Sequence, residues 1–505
     1  MTNANLYALF QQRFPKDFDA PALAVPNGET ISYGGLDVMS ARIAGVLSKL
    51  AIRKGDRVAV QVDKSPQAVA LYLACLRIGA VYLPLNTAYT PIEVAYFLGD
   101  AEPSLLVCRP QAEQSLRDVI GDNKALHVMT MDDQGCGTLT AVADTSEPKT
   151  EIADLKPEDL AAILYTSGTT GRSKGAILSH ENLASNAWAL HEIWGWRKGD
   201  VLIHALPIFH VHGLFVALHC ALLNGSKMWF MQKFDVDQVI GLMPRATVLM
   251  GVPTFYTRLV DHPGLTREIS SNMRLFIAGS APLLEETFSA FEEKTGHRIL
   301  ERYGMTETGM ITSNPLDGER LPATVGYPLP GVKVRVANED GTILGANEIG
   351  VLEVTGANVF SGYWRMPEKT ASEFRIDGWF ITGDVAQISD DGRVSIVGRA
   401  KDMIISGGYN VYPKEIETVI DDLDGVTESA VIGVPHPDFG EAVVALIVTD
   451  QNAQIDGAII QSGIKDKLAR FKHPKCIFVI DELPRNTMGK VQKNILREAY
   501  AKTFN

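Results

Sequence analysis

The chain has 505 residues, enough for about three domains of ordinary size. Its 46% hydrophobic and 21% charged content excludes a disordered or fibrous protein. With 47 Lys and Arg against 60 Asp and Glu the net charge is −13, and no long basic tract offsets it, which excludes general binding to nucleic acid or anionic membrane. In chain order, residues 57–62 read as an apolar strand, 66–78 as a helix and 80–83 as a second strand. Thr90 then caps a helix with Pro91 at its first position, leading to a strand at 104–108. Such β–α repetition predicts an α/β fold with mostly parallel sheets. Residues 137–159 are polar and aperiodic and read as a connector. From about residue 393 onward, short strands at 393–397, 429–434, 443–448 and 476–480 alternate with helices starting near Pro413 and Asp456, and after about 398 this is the pattern of a small α+β domain.

Cys75, Cys108, Cys136, Cys220 and Cys476 are scattered, with no C-x-x-C pair. They predict reduced thiols and a cytoplasmic setting, without a disulfide framework or zinc site. The first residues lack the basic-then-apolar order of a secretory leader. The stretch 201–223 is apolar, but Pro207 and four histidines (His204, His210, His212, His219) would be costly in lipid. It reads as buried core near a site.

The sharpest local motif is Tyr165-Thr-Ser-Gly-Thr-Thr-Gly-Arg-Ser-Lys174-Gly175, which follows an apolar strand. Small residues let backbone N–H groups face an oxyanion, hydroxyls add donors, and lysine adds charge. The spacing is not that of a Walker A loop, because Gly168 is followed by Gly171, and Lys174 by Gly175.

This motif resembles the phosphate-binding signature of the adenylate-forming superfamily, which contains acyl-CoA synthetases, luciferases and peptide-synthetase adenylation domains. Six further elements resemble that family in order: Gly279-Ser-Ala-Pro282, Tyr303-Gly-Met-Thr-Glu307, Gly383-Asp384, Gly398-Arg-Ala-Lys-Asp402, Ser406-Gly-Gly-Tyr409 and Pro484-Arg-Asn-Thr-Met-Gly-Lys490. The resemblance implies a large N-terminal AMP-binding domain at 1–398, a hinge at 399–402 about Lys401, and a small mobile C-terminal domain at 403–505. It implies ATP, Mg²⁺ and coenzyme A as cofactors or co-substrates. Thr166, Ser167, Gly168, Thr169, Thr170, Gly171 and Lys174 would hold the β- and γ-phosphates. Glu307 would bind Mg²⁺, and Thr306 would donate to the α-phosphate. Gly279, Ser280, Ala281 and Tyr303 would frame the adenine, and Asp384 the ribose, with Arg399 helping. Lys490 would contact carboxylate and α-phosphate during adenylation. Gly408 would border the pantetheine tunnel once the C-terminal domain has turned.

The segments Pro207-Ile-Phe-His-Val-His-Gly213 and Glu301-Arg-Tyr-Gly-Met-Thr-Glu-Thr308 resemble those of malonyl-CoA synthetases. An arginine beside the acyl site suits a second carboxylate, which it can grip with two parallel hydrogen bonds. Arg302 is the first candidate for that role and Arg258 the second. His210 matches a gating position between acyl pocket and CoA channel, and Val211 and Met305 would border the carbon between the carboxylates. The implied activity is malonate ligation to CoA through a malonyl-adenylate, with methylmalonate left open. Alternatives are a ligase for another short acid, an amino-acid adenylation module, which the short stretch after Lys490 disfavours, and a silent nucleotide sensor. Arg470, Lys472, His473 and Lys475 form a basic cluster that suits either the CoA 3′-phosphate or solvent. Lys490, in its Gly-Lys context, also resembles a site modified by a protein lysine acetyltransferase and restored by a deacetylase.

Overall fold

A computed structural model describes residues 3–121, 125–166, 173–406, 409–450, 456–465, 467–486 and 489–504. Ser167, Gly168, Thr169, Thr170, Gly171 and Gly408 therefore lie outside the described residues. The chain divides into two units: Met1–Lys333 with Val354–Phe380, and Val334–Glu353 with Ile381–Asn505.

The first unit holds two large sheets. One has Arg57–Gln61 near its centre, flanked in parallel by Val81–Pro84 and Leu105–Cys108, with His127–Thr130 beyond the latter. Leu160–Thr166 joins beside Val81–Pro84 and pairs antiparallel with Lys174–Ser179. The other runs in parallel from Leu300–Met305 through Leu275–Ala278, Val248–Gly251, Val201–His204 and Lys227–Phe230 to Pro21–Ala24. Antiparallel strands extend both ends: Gly309–Ser313 and then Tyr327–Pro328 at one, Thr30–Ser32 at the other.

Local chemistry explains the elements. The helix Pro66–Ile78 begins at Ser65, whose hydroxyl accepts from Ala68 N, and stops at Gly79 in a left-handed conformation. Nearly all of its residues are buried, as expected of a helix without a polar face. At Pro91–Ala101 a reciprocal cap joins Thr90 and Glu93. The connector expectation for 137–159 needs one correction. Thr138–Asp144 is helical, because Leu139 and Ala143, one turn apart, are buried. The stretch 201–223 is core: among the described residues no helix is long and apolar enough to cross a membrane.

The second unit carries the expected α+β pattern. A sheet orders Lys333–Ala337, Gly350–Thr355, Phe380–Ile388 and Val394–Arg399. Another is built on the long hairpin of Val426–His436 and Gly440–Thr449, with Cys476–Val479 parallel to the latter. The helices Pro413–Asp421 and Gly457–Ile464 bury Ile416, Ile420, Ile460 and Ile464 against one side of that sheet. Leu496, from Lys493–Tyr500, packs with Val434 and Leu446 in a separate cluster.

Candidate active site

Thr166 and Lys174 face each other across the antiparallel pair Leu160–Thr166 and Lys174–Ser179. The Gly/Ser/Thr-rich segment is thus the connection of a strand pair, with a strand following it where a Walker A loop has a helix. Lys174 Nζ lies 3.3 Å from Glu373 Oε1 and 4.2 Å from the centre of the Tyr363 ring. The same tyrosine donates its hydroxyl to Glu307 Oε1 at 3.0 Å. One side chain therefore links the loop lysine to the candidate metal ligand.

Glu307 is buried, and its backbone is braced from a distance in sequence. Phe360 N donates to the Glu307 carbonyl at 2.8 Å, and Asn358 Nδ2 to that of Thr308 at 2.8 Å. Asn186 both donates to the Met310 carbonyl and accepts from its N–H, at 2.8 and 3.0 Å. Thr306 and Val211 share a small cavity with Phe215 and these asparagines. Among the described residues no group of three or more His, Cys, Asp and Glu side chains converges on a metal position. Mg²⁺ needs only one or two protein carboxylates, because phosphate oxygens and water complete its shell. A single buried, hydrogen-bonded glutamate fits that requirement.

Arg302, the first acyl candidate, stands on the strand Leu300–Met305. Arg302 is 3% exposed, and its Nε and Nη2 have no hydrogen-bond partner among the described residues. Burial pushes the guanidinium pKa down to about 9, so it stays charged at neutral pH. Gly279 makes room for it: a Cβ there would stand 2.5 Å from Arg302 Cζ. Ser280, at a positive φ of 76°, places its hydroxyl 3.2 Å from His212 Nδ1. His212 Nε2 is buried and likewise unpartnered among the described residues, and burial, then the nearby Arg302 charge, holds this ring neutral. Two polar groups without partners in one buried place call for a ligand.

The other acyl candidates distribute unevenly. Val211 is buried, and His210 and Met305 are half-buried. His210 Nδ1 accepts from His212 N at 3.4 Å. Ala281 and Tyr303 are half-buried. Arg258 is exposed on the helix Pro253–Asp261, whose buried residues are Tyr256 and Leu259. His212 and Tyr363 were missed in the sequence. The signal for His212 was present, two residues beyond His210 in an apolar run, whereas nothing local marks Tyr363.

In the second unit, Asp384 and Arg399 are cross-strand partners, with Arg399 Nε 2.6 Å from Asp384 Oδ1. Thr382 Oγ1 accepts from Asp384 N at 3.0 Å, bracing the backbone that carries the buried carboxylate. Lys401 is exposed on the short 3₁₀ turn Ala400–Asp402. Lys490 is exposed beside Gly489, which takes a positive φ of 75°. Asn486 Oδ1 accepts from Lys490 N at 3.0 Å, and Asn486 N donates to the Lys490 carbonyl at 2.9 Å. In the basic cluster, Lys472 pairs with Glu415 and Lys475 lies over the Phe439 ring.

The AMP-binding enzyme family matches residues 10–364, and its C-terminal domain matches residues 415–490. The chain belongs to the AMP-binding enzymes. It is 54% identical to ATP-bound MatB from Rhodopseudomonas palustris, covering 100% of both chains with a TM-score of 0.97. It is 32% identical to the malonate–CoA ligase of Arabidopsis thaliana over 94% of this chain and 85% of that protein. A mitochondrial malonate–CoA ligase of Mus musculus is 36% identical over 84% of this chain and 78% of its own length.

Proposed function

We propose that the protein is an ATP-dependent malonate–CoA ligase. Malonate would attack the α-phosphate of ATP, giving malonyl-adenylate and pyrophosphate, and the CoA thiol would then displace AMP. The observation that carries the substrate class is the buried Arg302 guanidinium, whose Nε and Nη2, like the nearby His212 Nε2, have no partner among the described residues. An alkyl or aryl tail would leave that charge desolvated and unpaired, whereas a second carboxylate compensates it. Arg302 and His212, with Arg258 as a second candidate, are therefore assigned to the carboxylate that does not react. Val211 and Met305 would border the carbon between the two carboxylates, and His210 the way toward CoA.

Catalysis on this reading is mainly positioning and charge neutralisation. Lys174 with the preceding Gly/Ser/Thr segment from Thr166 would hold the β- and γ-phosphates, and Thr306 would donate to the α-phosphate. Gly279, Ser280, Ala281 and Tyr303 would frame the adenine, and Asp384, fixed by Arg399 and Thr382, would accept from the ribose hydroxyls. Glu307 would hold Mg²⁺, which supplies positive charge to the phosphates. Lys490 would serve the adenylation step, and a turn about Lys401, in a hinge at 399–402 between domains at 1–398 and 403–505, would bring Gly408 to the thiol. A cytoplasmic setting is proposed with it, on the scattered cysteines.

The test is pyrophosphate release with a panel of acids, with and without CoA. Malonate is expected to outrun propionate, acetate and benzoate, and CoA to be consumed only with the acid that releases pyrophosphate. Equal rates with propionate and malonate would remove the second-carboxylate assignment. Tyr363→Phe deletes the hydroxyl at Glu307 but keeps the ring beneath Lys174. It is expected to raise the Mg²⁺ concentration for half-maximal rate by about 10-fold, with the malonate KM unchanged; an unaltered Mg²⁺ titration would separate Tyr363 from the metal. Lys490, exposed in its turn, is also proposed as the target of a protein lysine acetyltransferase and deacetylase. Acetylation would remove its charge and silence adenylation until reversed. Full activity with Lys490 stoichiometrically acetylated would refute this.

A further inference from the structure

Lys64 lies between the strand Arg57–Gln61 and the cap residue Ser65, at the carboxyl end of its sheet. It is 7% exposed. Burial pushes the Lys64 pKa well down, and such an amine is tolerated only where its N–H groups find acceptors. Here they do: His204 Nδ1 at 2.8 Å, the His204 carbonyl at 2.7 Å and the Leu206 carbonyl at 2.9 Å. The Phe230 ring lies 4.3 Å from Nζ. All these partners belong to the other large sheet of the unit or to the segment leaving it, so one side chain ties the two sheets together.

The connection continues beyond the lysine. With Nδ1 accepting from Lys64, the His204 ring carries its proton on Nε2, which reaches the Gly213 carbonyl at 2.9 Å. Gly213 packs so tightly on the start of the same segment that a Cβ would stand 2.0 Å from the Pro207 carbonyl oxygen. Residues 204–213 therefore form a closed strap. Lys64 holds its beginning, the His204 ring holds its end, and the π-helical turn His212–Ala217 follows directly. The strap carries Val211 and His212, assigned above to the acyl end of the site, and His210, assigned to the way toward CoA.

We infer that Lys64 is a positioning residue for acid recognition: through His204 and the Gly213 carbonyl it sets where His212 and Val211 stand relative to Arg302. The inference rests on the reading of the Arg302–His212 pocket as the acyl end. Lys64 touches no substrate. Its effect must therefore show in the choice between acids and not in the handling of ATP. A lysine that merely stabilised the fold would change neither ratio.

Two variants test this. Lys64→Met keeps the length and apolar stem but leaves His204 Nδ1 and two carbonyls without their donor. His204→Phe keeps a ring against Phe230 and leaves Lys64 its two carbonyls, but breaks the link to Gly213. In pyrophosphate-release assays, each is expected to raise the malonate KM on the order of 10- to 100-fold. The ATP KM stays unchanged, and the malonate-to-propionate ratio of kcat/KM falls. Folded variants with an unaltered ratio would overturn the inference, and so would failure of both variants to fold, which would assign Lys64 to stability alone. If the malonate reading itself is wrong, the wild type shows it by giving no malonate-dependent pyrophosphate. The strap is then scored with the acid the wild type does accept against its analogue lacking one polar group.

Discussion

Replacing Arg302 by methionine is expected to abolish malonate activation while making the ligand-free protein more stable. The two effects share one cause. In the folded chain a guanidinium is buried with Nε and Nη2 unpartnered among the described residues, and burial depresses its pKa. Exchanging such a charge for an apolar side chain of similar length removes a desolvation penalty, typically 1–4 kcal/mol of stabilisation where a buried charge is replaced well. The same charge is what the second carboxylate of malonate would meet. Losing it should cost about 2–5 kcal/mol in transition-state binding, on the order of 30- to 4,000-fold in kcat/KM. Thermal denaturation of the free protein and malonate-dependent pyrophosphate release measure the two sides separately. ATP binding should persist. A variant with unchanged malonate kinetics would refute the assignment, and a lower melting temperature would show that Arg302 has structural partners that outweigh its desolvation. Gly279→Ala offers an independent approach, because its Cβ would stand 2.5 Å from the Arg302 guanidinium carbon. It should weaken malonate binding without deleting any charge.

The sequence was most informative where chemistry is local. Apolar periodicity placed the helix Pro66–Ile78, a cap and proline placed the start of Pro91–Ala101, and runs of small residues marked the connection after Thr166. What escaped was long-range. Lys64 meets His204 across 140 positions, Ser280 meets His212 across 68, and Tyr363 meets Glu307 across 56. No spacing rule reports such pairs, because the topology of two large sheets creates them. Thr138–Asp144 was hidden for another reason: two buried apolar residues one turn apart are too short a signal within a polar stretch.

Lys490→Ala is expected to separate the two half-reactions. The lysine is exposed in a tight turn, held by its backbone to Asn486 on both sides. Truncating the side chain leaves those backbone bonds in place, so the fold of the second unit should be preserved. In the proposed mechanism Lys490 supplies charge where the attacking carboxylate meets the α-phosphate, and that charge is needed only while the adenylate forms. Removing a donor aimed at developing charge costs about 10²–10³-fold. Malonyl-adenylate formation should fall by that factor, whereas thioester formation from supplied malonyl-adenylate and CoA should continue at close to the wild-type rate. Gly408→Leu is expected to behave in the opposite way, forming adenylate but failing with CoA, because a large side chain would fill the space proposed for the pantetheine arm. Each half-reaction can be followed alone, by pyrophosphate release without CoA and by thioester formation without ATP. Crossed losses would establish that one site is completed by different residues at successive steps. Equal loss of both halves in Lys490→Ala, in a protein that still melts cooperatively, would place Lys490 outside the adenylation step and leave the alternation about Lys401 without support.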